Sequence, residues 1–295
     1  MIGTPSRLTR AVTGWLLVLP ATVVLAAFTH LPIVTTLIAS LHSRATAIRP
    51  ARFVGLDNYR SLAADPVFWK VMGNTVAFAF GTVPVSIALA LAMALWVNRR
   101  IAGRGLLRLA FFLPTMLPMI AAANLWLFFY TPDIGLLDQC LGLAGLSGHN
   151  WLGDPRTALP CLMAVTIWKE SGFFMIFYLA ALQGLPPELR EAAMLEGAGP
   201  VAYFRRVLFP LLMPTTLFVL INAVLNAFKM VDPLFILTKG GPSNASNLLL
   251  YYIYETAFSF NDGATAATLT VVLLGLLAVL AISQFVLLDR RVHYR

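Results

Sequence analysis

Six long runs of apolar residues alternate with shorter polar segments along the 295-residue chain. Each run reaches the roughly 20 residues that an α-helix needs to cross the hydrocarbon core of a bilayer. Because backbone groups in lipid must be hydrogen-bonded within the segment, we predict that every run is a helix. The predicted spans are 12–40, 71–97, 106–130, 158–182, 207–237 and 265–288. The pattern therefore predicts an all-α, polytopic membrane protein with six transmembrane helices, and we treat residues 1–295 as a single transmembrane domain.

The composition agrees with this interpretation. Hydrophobic residues make up 59% of the chain and charged residues only 12%, whereas soluble domains have about 25% charged residues. The net charge of +8 raises the question of nucleic acid, but the basic residues lie between the apolar runs. They do not form a basic stripe with interleaved aromatic residues. We therefore expect a lipid bilayer as the surrounding medium and no nucleic-acid partner.

Lysine and arginine residues are distributed unequally between the two sides of the predicted membrane. Twelve lie at the termini or beside the loops after the second and fourth spans, against seven in the other loops. The twelve are Arg7, Arg10, Arg99, Arg100, Arg104, Arg108, Arg190, Arg205, Arg206, Arg290, Arg291 and Arg295. Because cytoplasmic loops are enriched in basic residues, we predict that both termini and the loop 185–206 are cytoplasmic.

The sequence contains no recognisable catalytic motif. It has no GxxxxGK[ST] phosphate loop, no HExxH, no GxSxG and no Cys/His cluster with metal-ligand spacing. Cys140 and Cys161 are expected to be inert, with a disulfide between them as the open alternative. We therefore predict that the chain is not an enzyme, and that it holds neither a metal nor a cofactor.

The loop 185–206 is rich in charge between two apolar spans, and reads LPPELREAAMLEGAGPVAYFRR. Every residue from Glu188 to Ala198 except Gly197 favours a helix, and Gly199-Pro200 then ends the run. Its alanine pair and its glycine would let another backbone approach closely. The pattern therefore favours a docking surface, with an ordinary amphipathic connector as the alternative.

This loop resembles the coupling loop of permease subunits in ABC importers. The shared pattern is Glu191-Ala192-Ala193, three residues, Gly197, nine residues, and then Val207-Leu208-Phe209-Pro210. Val207 and Phe209 stand where the family has isoleucine and leucine. The segments 53–59 and 240–242 are similar to segments of the carbohydrate-importer branch, and most closely to glycerol-3-phosphate-type permease subunits.

The resemblance implies the permease fold of a type I ABC importer in a bacterial inner membrane. It also implies four further subunits: a homologous second permease, two ATP-binding subunits that carry ATP and Mg²⁺, and an extracytoplasmic solute-binding protein. The residues that it assigns to ATPase coupling are Glu188, Glu191, Ala192, Ala193, Gly197 and Gly199. The expected cargo is glycerol 3-phosphate or a related glycerophosphodiester, with a neutral oligosaccharide or polyol as the alternative. An ATP-independent secondary transporter and a non-transporting scaffold subunit are the remaining alternatives.

Polar residues interrupt the fifth span. If the helix is continuous, Asn222, Asn226, Lys229 and Asp232 fall within about 120° of one face. That face is a candidate solute path, because amides bind hydroxyl groups and a lysine binds an anion. The alternative is structural: the asparagines join neighbouring helices, and Lys229 pairs with Asp232.

The fourth span carries Trp168-Lys169-Glu170 within an otherwise apolar run. Because ionised side chains are costly at mid-bilayer, both charges need a partner or a water-filled cavity. Adjacent residues point about 100° apart on a helix, so the two charges do not simply neutralise each other. We include all three residues in the candidate solute path, with Trp168 able to stack on a sugar. Structural pairing of the two charges, and an interfacial position for the tryptophan, are the alternatives.

Overall fold

The computed structural model describes residues 7–45, 48–99 and 102–289. Arg100, Arg290, Arg291 and Arg295, four of the residues used to predict the orientation, lie outside these described residues. The described chain is helical apart from turns, loops and one isolated antiparallel bridge between His42 and Phe53. It forms two compact units, which are described separately.

The first unit contains the N-terminal helices up to Ala64 and the segment Ile253–Val272. Its N-terminal helices are α1 (Arg7–Leu25), α2 (Leu31–Ser40) and α3 (Asp57–Ala64), with a π-helical turn at Ala26–His30 joining α1 to α2. The hydroxyl of Ser40 lies 2.8 Å from that of Tyr59. The Asn58 side chain donates to the carbonyls of Ser40 and His42. These bonds close the turn that follows the first span.

The second unit contains Asp65–Tyr252 and the chain from Leu273 onward. Its first helices are α4 (Pro66–Val97), α5 (Arg104–Met116), α6 (Met119–Tyr130), α7 (Leu136–Leu143) and α8 (Ala158–Gln183). They are followed by α9 (Glu188–Leu195), α10 (Pro200–Tyr203), α11 (Phe209–Leu211), α12 (Met213–Phe228), α13 (Asp232–Leu237) and α14 (Leu249–Tyr254). The last helix, α15 (Gly263–Asp289), begins in the first unit and ends in the second.

The spans confirm the predicted fold class. Five helical stretches of the described chain are long and apolar enough to cross a membrane, and a bent pair, α5 with α6, makes a sixth. The five are Thr13–Ser40, Pro66–Val97, Ala158–Gln183, Met213–Leu237 and Gly263–Gln284. The expectation of a single domain over 1–295 stays a prediction.

The third predicted span, 106–130, is not one straight helix. The axes of α5 and α6 meet at 100°, and Leu117 between them is extended, with φ −75° and ψ 136°. Pro118 causes the break, because its ring disfavours the helical conformation of the residue before it. The expectation of a continuous helix there was wrong.

The fifth predicted span, 207–237, is also interrupted. Helix α12 ends at Phe228, and α13 begins at Asp232-Pro233. Pro233 has no N–H to donate to the carbonyl of Lys229, and its ring would collide with that carbonyl in a continuous helix. The helical face predicted to run from Asn222 to Asp232 is therefore broken after its second member.

The core of the second unit lies where α4, α8 and α12 pack together. Buried residues such as Phe78 of α4, Phe174 and Tyr178 of α8, and Val219 of α12 fill the space between them. The Tyr178 hydroxyl donates to the Thr216 hydroxyl at 3.1 Å, which joins α8 to α12. Apolar packing and this hydroxyl pair therefore hold the three helices together.

Candidate functional site

A half-buried carboxyl group is the polar centre of the junction between α4, α8 and α12. The side-chain amide Nδ2 of Asn226, on α12, donates to Oε2 of Glu170, on α8, at 3.2 Å. The sequence placed these two residues in one candidate path, and the fold brings them together from positions 56 residues apart. Neither group is left unpaired, as buried polar groups require.

A small cavity opens beside this pair. Its lining consists of Thr82, Val83, Ser86, Thr166, Glu170, Phe174, Ala223, Asn226 and Ala227. It offers about 10 Å³ to the centre of a water molecule, which is the smallest space that can hold one water. This conformation therefore has room for a water beside Glu170 and none for a sugar.

The hydroxyl groups of the cavity were missed by the sequence reasoning. Thr82 and Thr166 bond to carbonyls one turn back on their own helices. Ser86 is 2% exposed and lines the cavity. Thr82 and Ser86 are four residues apart in an apolar span, which puts both on one face of the helix. This spacing is the sequence signal by which the two hydroxyl groups could have been identified.

Lys169 faces a different neighbour from Glu170. Its ammonium nitrogen Nζ lies 2.6 Å from the carbonyl oxygen of Leu117, 3.1 Å from that of Thr115 and 3.4 Å from that of Pro114. Those carbonyls belong to the break between α5 and α6. The Glu170 cavity does not include Lys169 in its lining.

Trp168 packs against α6. Its ring meets the ring of Trp126 edge to face, with centroids 5.7 Å apart, and Trp126 also contacts Phe129 and Tyr130. Offset and edge-to-face aromatic pairs of this kind stabilise helix packing. The indole remains 37% exposed, so one side of it is open for a further contact.

The remaining predicted path residues do not join this cluster. The side chain of Asn222 donates to the carbonyl of Phe218 on its own helix, at 2.8 Å. Lys229 and Asp232 are exposed on either side of the break after α12. Within the described chain no ion pair joins Lys229 to Asp232, so the alternative in which these two residues pair was wrong.

The motif loop forms a short helix with a defined end. Helix α9 stops at Leu195, three residues before the predicted end. Gly197 has φ +75°, the amide of Ala198 donates to Ala193, and the amide of Gly197 donates to Met194. This is a Schellman cap, which requires a left-handed residue. Gly197 is therefore needed for its conformation, a reason that the sequence pattern did not supply.

The exposed face of the loop carries most of the predicted coupling residues. Glu188, Glu191, Ala192, Gly197 and Gly199 are exposed, whereas Ala193 is buried. Leu195 is 90% exposed, and the sequence reasoning did not single it out. Exposed apolar residues in a rim of charges mark protein interaction surfaces. This exposure is compatible with the predicted docking surface, which stays a prediction.

The loop between α6 and α8 is organised by a buried acid. Asp138 accepts hydrogen bonds from the amide of Asp133 at 2.9 Å, from Nε1 of Trp151 at 2.7 Å and from the amide of His149 at 3.3 Å. The backbone bond from Asp133 is the main cause that lowers the pKa of Asp138 below its ordinary value, followed by the bond from Trp151. Nearby, Cys161 is buried and Cys140 is exposed, and both are free thiols.

The loop after α13 is held against the N-terminal part of α4. The Asn74 side chain donates to the carbonyls of Asn244 and Asn247, at 2.7 and 3.1 Å. The amide of Leu249 donates to the Thr75 hydroxyl at 2.9 Å. The Gly240-Gly241-Pro242 segment noted in the sequence lies in this loop, and four hydrogen bonds fix the chain from Ser243 to Leu249 to α4.

Comparison with known proteins identifies relatives over nearly the whole length. The chain is 35% identical to the trehalose/maltose transport system permease protein of Thermococcus litoralis, over 88% of this chain and 89% of the relative. It is 34% identical to the sn-glycerol-3-phosphate transport system permease protein of Agrobacterium fabrum, over 83% of each. Its fold matches a chain in the crystal structure of a bacterial ABC transporter involved in the import of the acidic polysaccharide alginate. That match has a TM-score of 0.85 and 21% identity, and covers 97% of this chain and 99% of that one.

The family assignment follows from these matches. Residues 85–294 match the family model described as the inner membrane component of binding-protein-dependent transport systems. The predicted family, fold class and multi-pass inner-membrane location are thereby confirmed. A permease of this kind is not an enzyme, since ATP hydrolysis belongs to separate subunits. The chain belongs to the inner-membrane permease components of binding-protein-dependent ABC importers, in the branch that carries sugars.

Proposed function

We propose that this chain is one of the two transmembrane subunits of an importer for a neutral oligosaccharide or polyol. The Glu170–Asn226 pair lies in its solute path. The observation that carries the proposal is the hydrogen bond between these two side chains at a three-helix junction. A carboxylate accepts hydrogen bonds from hydroxyl groups, and an amide both donates and accepts them. Such a pair suits a solute rich in hydroxyls.

The charges favour a neutral cargo over an anionic one. The ammonium group of Lys169 is engaged by three carbonyl groups, and the cavity is lined by an acid with no basic residue. A phosphate there would be repelled by an ionised carboxylate. This reverses the order of cargoes expected from the sequence, in which glycerol 3-phosphate came first.

Glycerol 3-phosphate remains the second candidate because of Lys229. Its side chain is exposed at the end of α12 and forms no ion pair among the described residues. One relative, at 34% identity, is a glycerol-3-phosphate permease protein. A cation in that position is able to hold a phosphate without the help of Lys169.

The partners follow from the same proposal. A second permease subunit completes the path, an extracytoplasmic binding protein delivers the solute to the outer loops, and two ATPase subunits carry ATP and Mg²⁺. The exposed residues of α9 with Gly197 and Gly199 form the docking surface for an ATPase subunit. ATP-driven closure of the ATPases would push on this surface and move the spans between outward and inward states. This chain holds no cofactor in the proposal.

Proteoliposomes that contain the complete transporter test the cargo. Binding-protein-stimulated ATP hydrolysis is measured with maltose, trehalose, lactose, glycerol and glycerol 3-phosphate. We expect stimulation by a neutral member of this panel and its loss in Asn226→Leu. Stimulation by glycerol 3-phosphate alone, abolished in Lys229→Gln, would favour the second candidate instead.

A second experiment separates the importer from an ATP-independent transporter. Glu191→Ala removes a charge from the exposed face of α9, and Glu196→Ala removes a charge from one of the three unspecified positions of the motif. We expect the first variant to insert normally but to lose solute-stimulated ATP hydrolysis, and the second to retain most of it. Uptake that persists without ATP and is unchanged in Glu191→Ala would support a secondary transporter.

A further inference from the structure

The break in the third span leaves backbone carbonyl groups without helical partners. A helix end frees up to four carbonyls, and lipid offers them no hydrogen-bond donor. At the end of α5 the amide of Leu117 donates to the carbonyl of Pro114 at 3.3 Å. Beyond it, Pro118 has no N–H. A bend of 100° inside the membrane therefore needs donors from another helix.

Lys169 supplies those donors. Its ammonium group carries three N–H bonds, and three carbonyl oxygens of the break lie within 3.4 Å of it. A cation at a helix C-terminus also opposes the negative end of the helix dipole. In return, the Thr115 hydroxyl donates to the backbone carbonyl of Lys169 at 3.1 Å. The contact is thus reciprocal between α8 and the end of α5.

The neighbours of Lys169 on α8 hold both halves of the bent span. A Cβ atom at Gly172 would overlap the carbonyl oxygen of Phe111 and lie 3.1 Å from the Thr115 hydroxyl, so α5 and α8 approach as closely as only glycine permits. Trp168 packs on Trp126 of α6, on the other side of the break. Three neighbouring positions of α8 therefore contact α5, the break and α6.

We infer that Lys169 is a positioning residue that clamps the broken third span at its bend, and that it is not a ligand for the transported solute. The inference goes beyond the proposed function, because it assigns this cation a role that is the same for every cargo. Glu170, on the adjacent face, keeps the role in the solute path. The clamp fixes the direction of α6 relative to α5.

Distances between spin labels on the two halves of the span test the clamp. Leu109 of α5 and Phe128 of α6 are both exposed and are replaced by cysteine in a chain that carries Cys140→Ser and Cys161→Ala. A straight helix would separate these positions by about 28 Å, whereas a bend of 100° brings them to about 18 Å. The complete transporter, in lipid nanodiscs and without solute, is the sample. The readout therefore does not depend on the cargo.

In the parent chain we expect a narrow distribution of spin-label distances near the shorter value. In Lys169→Met the distribution should broaden toward longer distances. In Lys169→Arg it should be as narrow as in the parent chain. Lys229→Met is the matched control, since it removes an exposed cation, and it should leave the distribution unchanged. Lys169→Met is a sample only if it accumulates in the membrane. If it does not, the clamp is supported when Lys169→Arg restores accumulation and Thr115→Val broadens the distance distribution. A distribution that stays narrow in Lys169→Met, or in Thr115→Val when Lys169→Met does not accumulate, overturns it.

Transport gives an independent readout on the same variants. A clamp predicts that Lys169→Met lowers the maximal rate by a similar factor for every solute that is transported, with little change in KM. A ligand role predicts a raised KM for an anionic solute and an unchanged distance. If the transporter proved to carry a different cargo from the one proposed, the spin-label distances would be unaffected. The two proposals can therefore be disproved independently.

Discussion

The side chains of Lys169 and Glu170, adjacent in sequence, are held by different spans: Lys169 by the carbonyls at the break of the third span, and Glu170 by Asn226 of the fifth. Adjacent side chains on a helix diverge by about 100°. The fourth span therefore uses one charged pair to contact two neighbours. Each charge is satisfied by a hydrogen bond to another helix, and not by the other charge.

The bond between Asn226 and Glu170 should contribute to stability. In Asn226→Leu, the half-buried carboxyl group of Glu170 loses its donor, and we expect the free energy of unfolding to fall by about 1–3 kcal/mol. Asn222→Leu is the matched control, because Asn222 bonds only to its own helix. Its effect should stay within about 0.5 kcal/mol. Reversible unfolding in SDS–detergent mixtures measures both, and equal losses would contradict the inter-helix role of Asn226.

Gly197 should resist substitution for conformational reasons. Its φ of +75° costs a non-glycine residue about 1–2 kcal/mol, so Gly197→Ala should disturb the end of α9. We expect normal amounts in the membrane and a several-fold loss of solute-stimulated ATP hydrolysis in the complete transporter. Gly142→Ala is the control: Gly142 lies in α7, outside the motif loop, and its added Cβ would meet open space. A Gly197→Ala transporter that is fully coupled would show that the cap is dispensable.

The loop between α6 and α8 should lose order in acid through Asp138. Its folded-state pKa lies below the ordinary value, so the ionised carboxylate stabilises the loop at pH values above the unfolded pKa of about 3.9. That contribution is lost as the pH falls through the folded-state pKa. The fluorescence of Trp151, obtained by difference from Trp151→Phe, should change in that acid range. In Asp138→Asn the acid transition should be absent, and its persistence would assign it to another group.

The predicted orientation can be checked at two leucines of matched exposure. Leu195 in the motif loop is 90% exposed and Leu143 at the end of α7 is 91% exposed. In a chain with Cys140→Ser, we expect Leu143→Cys to react with a membrane-impermeant maleimide in intact cells. Leu195→Cys should react only after the membrane is permeabilised. The opposite pattern would invert the topology and remove α9 from the reach of a cytoplasmic ATPase.

Local physical chemistry determined the helices, their number and the position of the motif loop. An apolar run of about 20 residues has one stable form in lipid, and prolines such as Pro118 and Pro233 break a helix by their own covalent structure. Both breaks were therefore latent in the sequence. The family resemblance came from the motif at 191–210 and from the segments 53–59 and 240–242, and the matched relatives confirm it.

Only the tertiary structure decided what each polar residue of the spans contacts. Lys169 and Leu117 are 52 residues apart, and Glu170 and Asn226 are 56 apart. Such pairings depend on how far each helix is rotated about its axis and on which helices are neighbours. Helical periodicity shows that two residues share a face but not which helix lies opposite that face. For this reason the sequence identified the polar residues of the membrane interior but not their roles. The packing of α8 against α5 and α12 distinguished Lys169, the proposed clamp, from Glu170 in the candidate solute path.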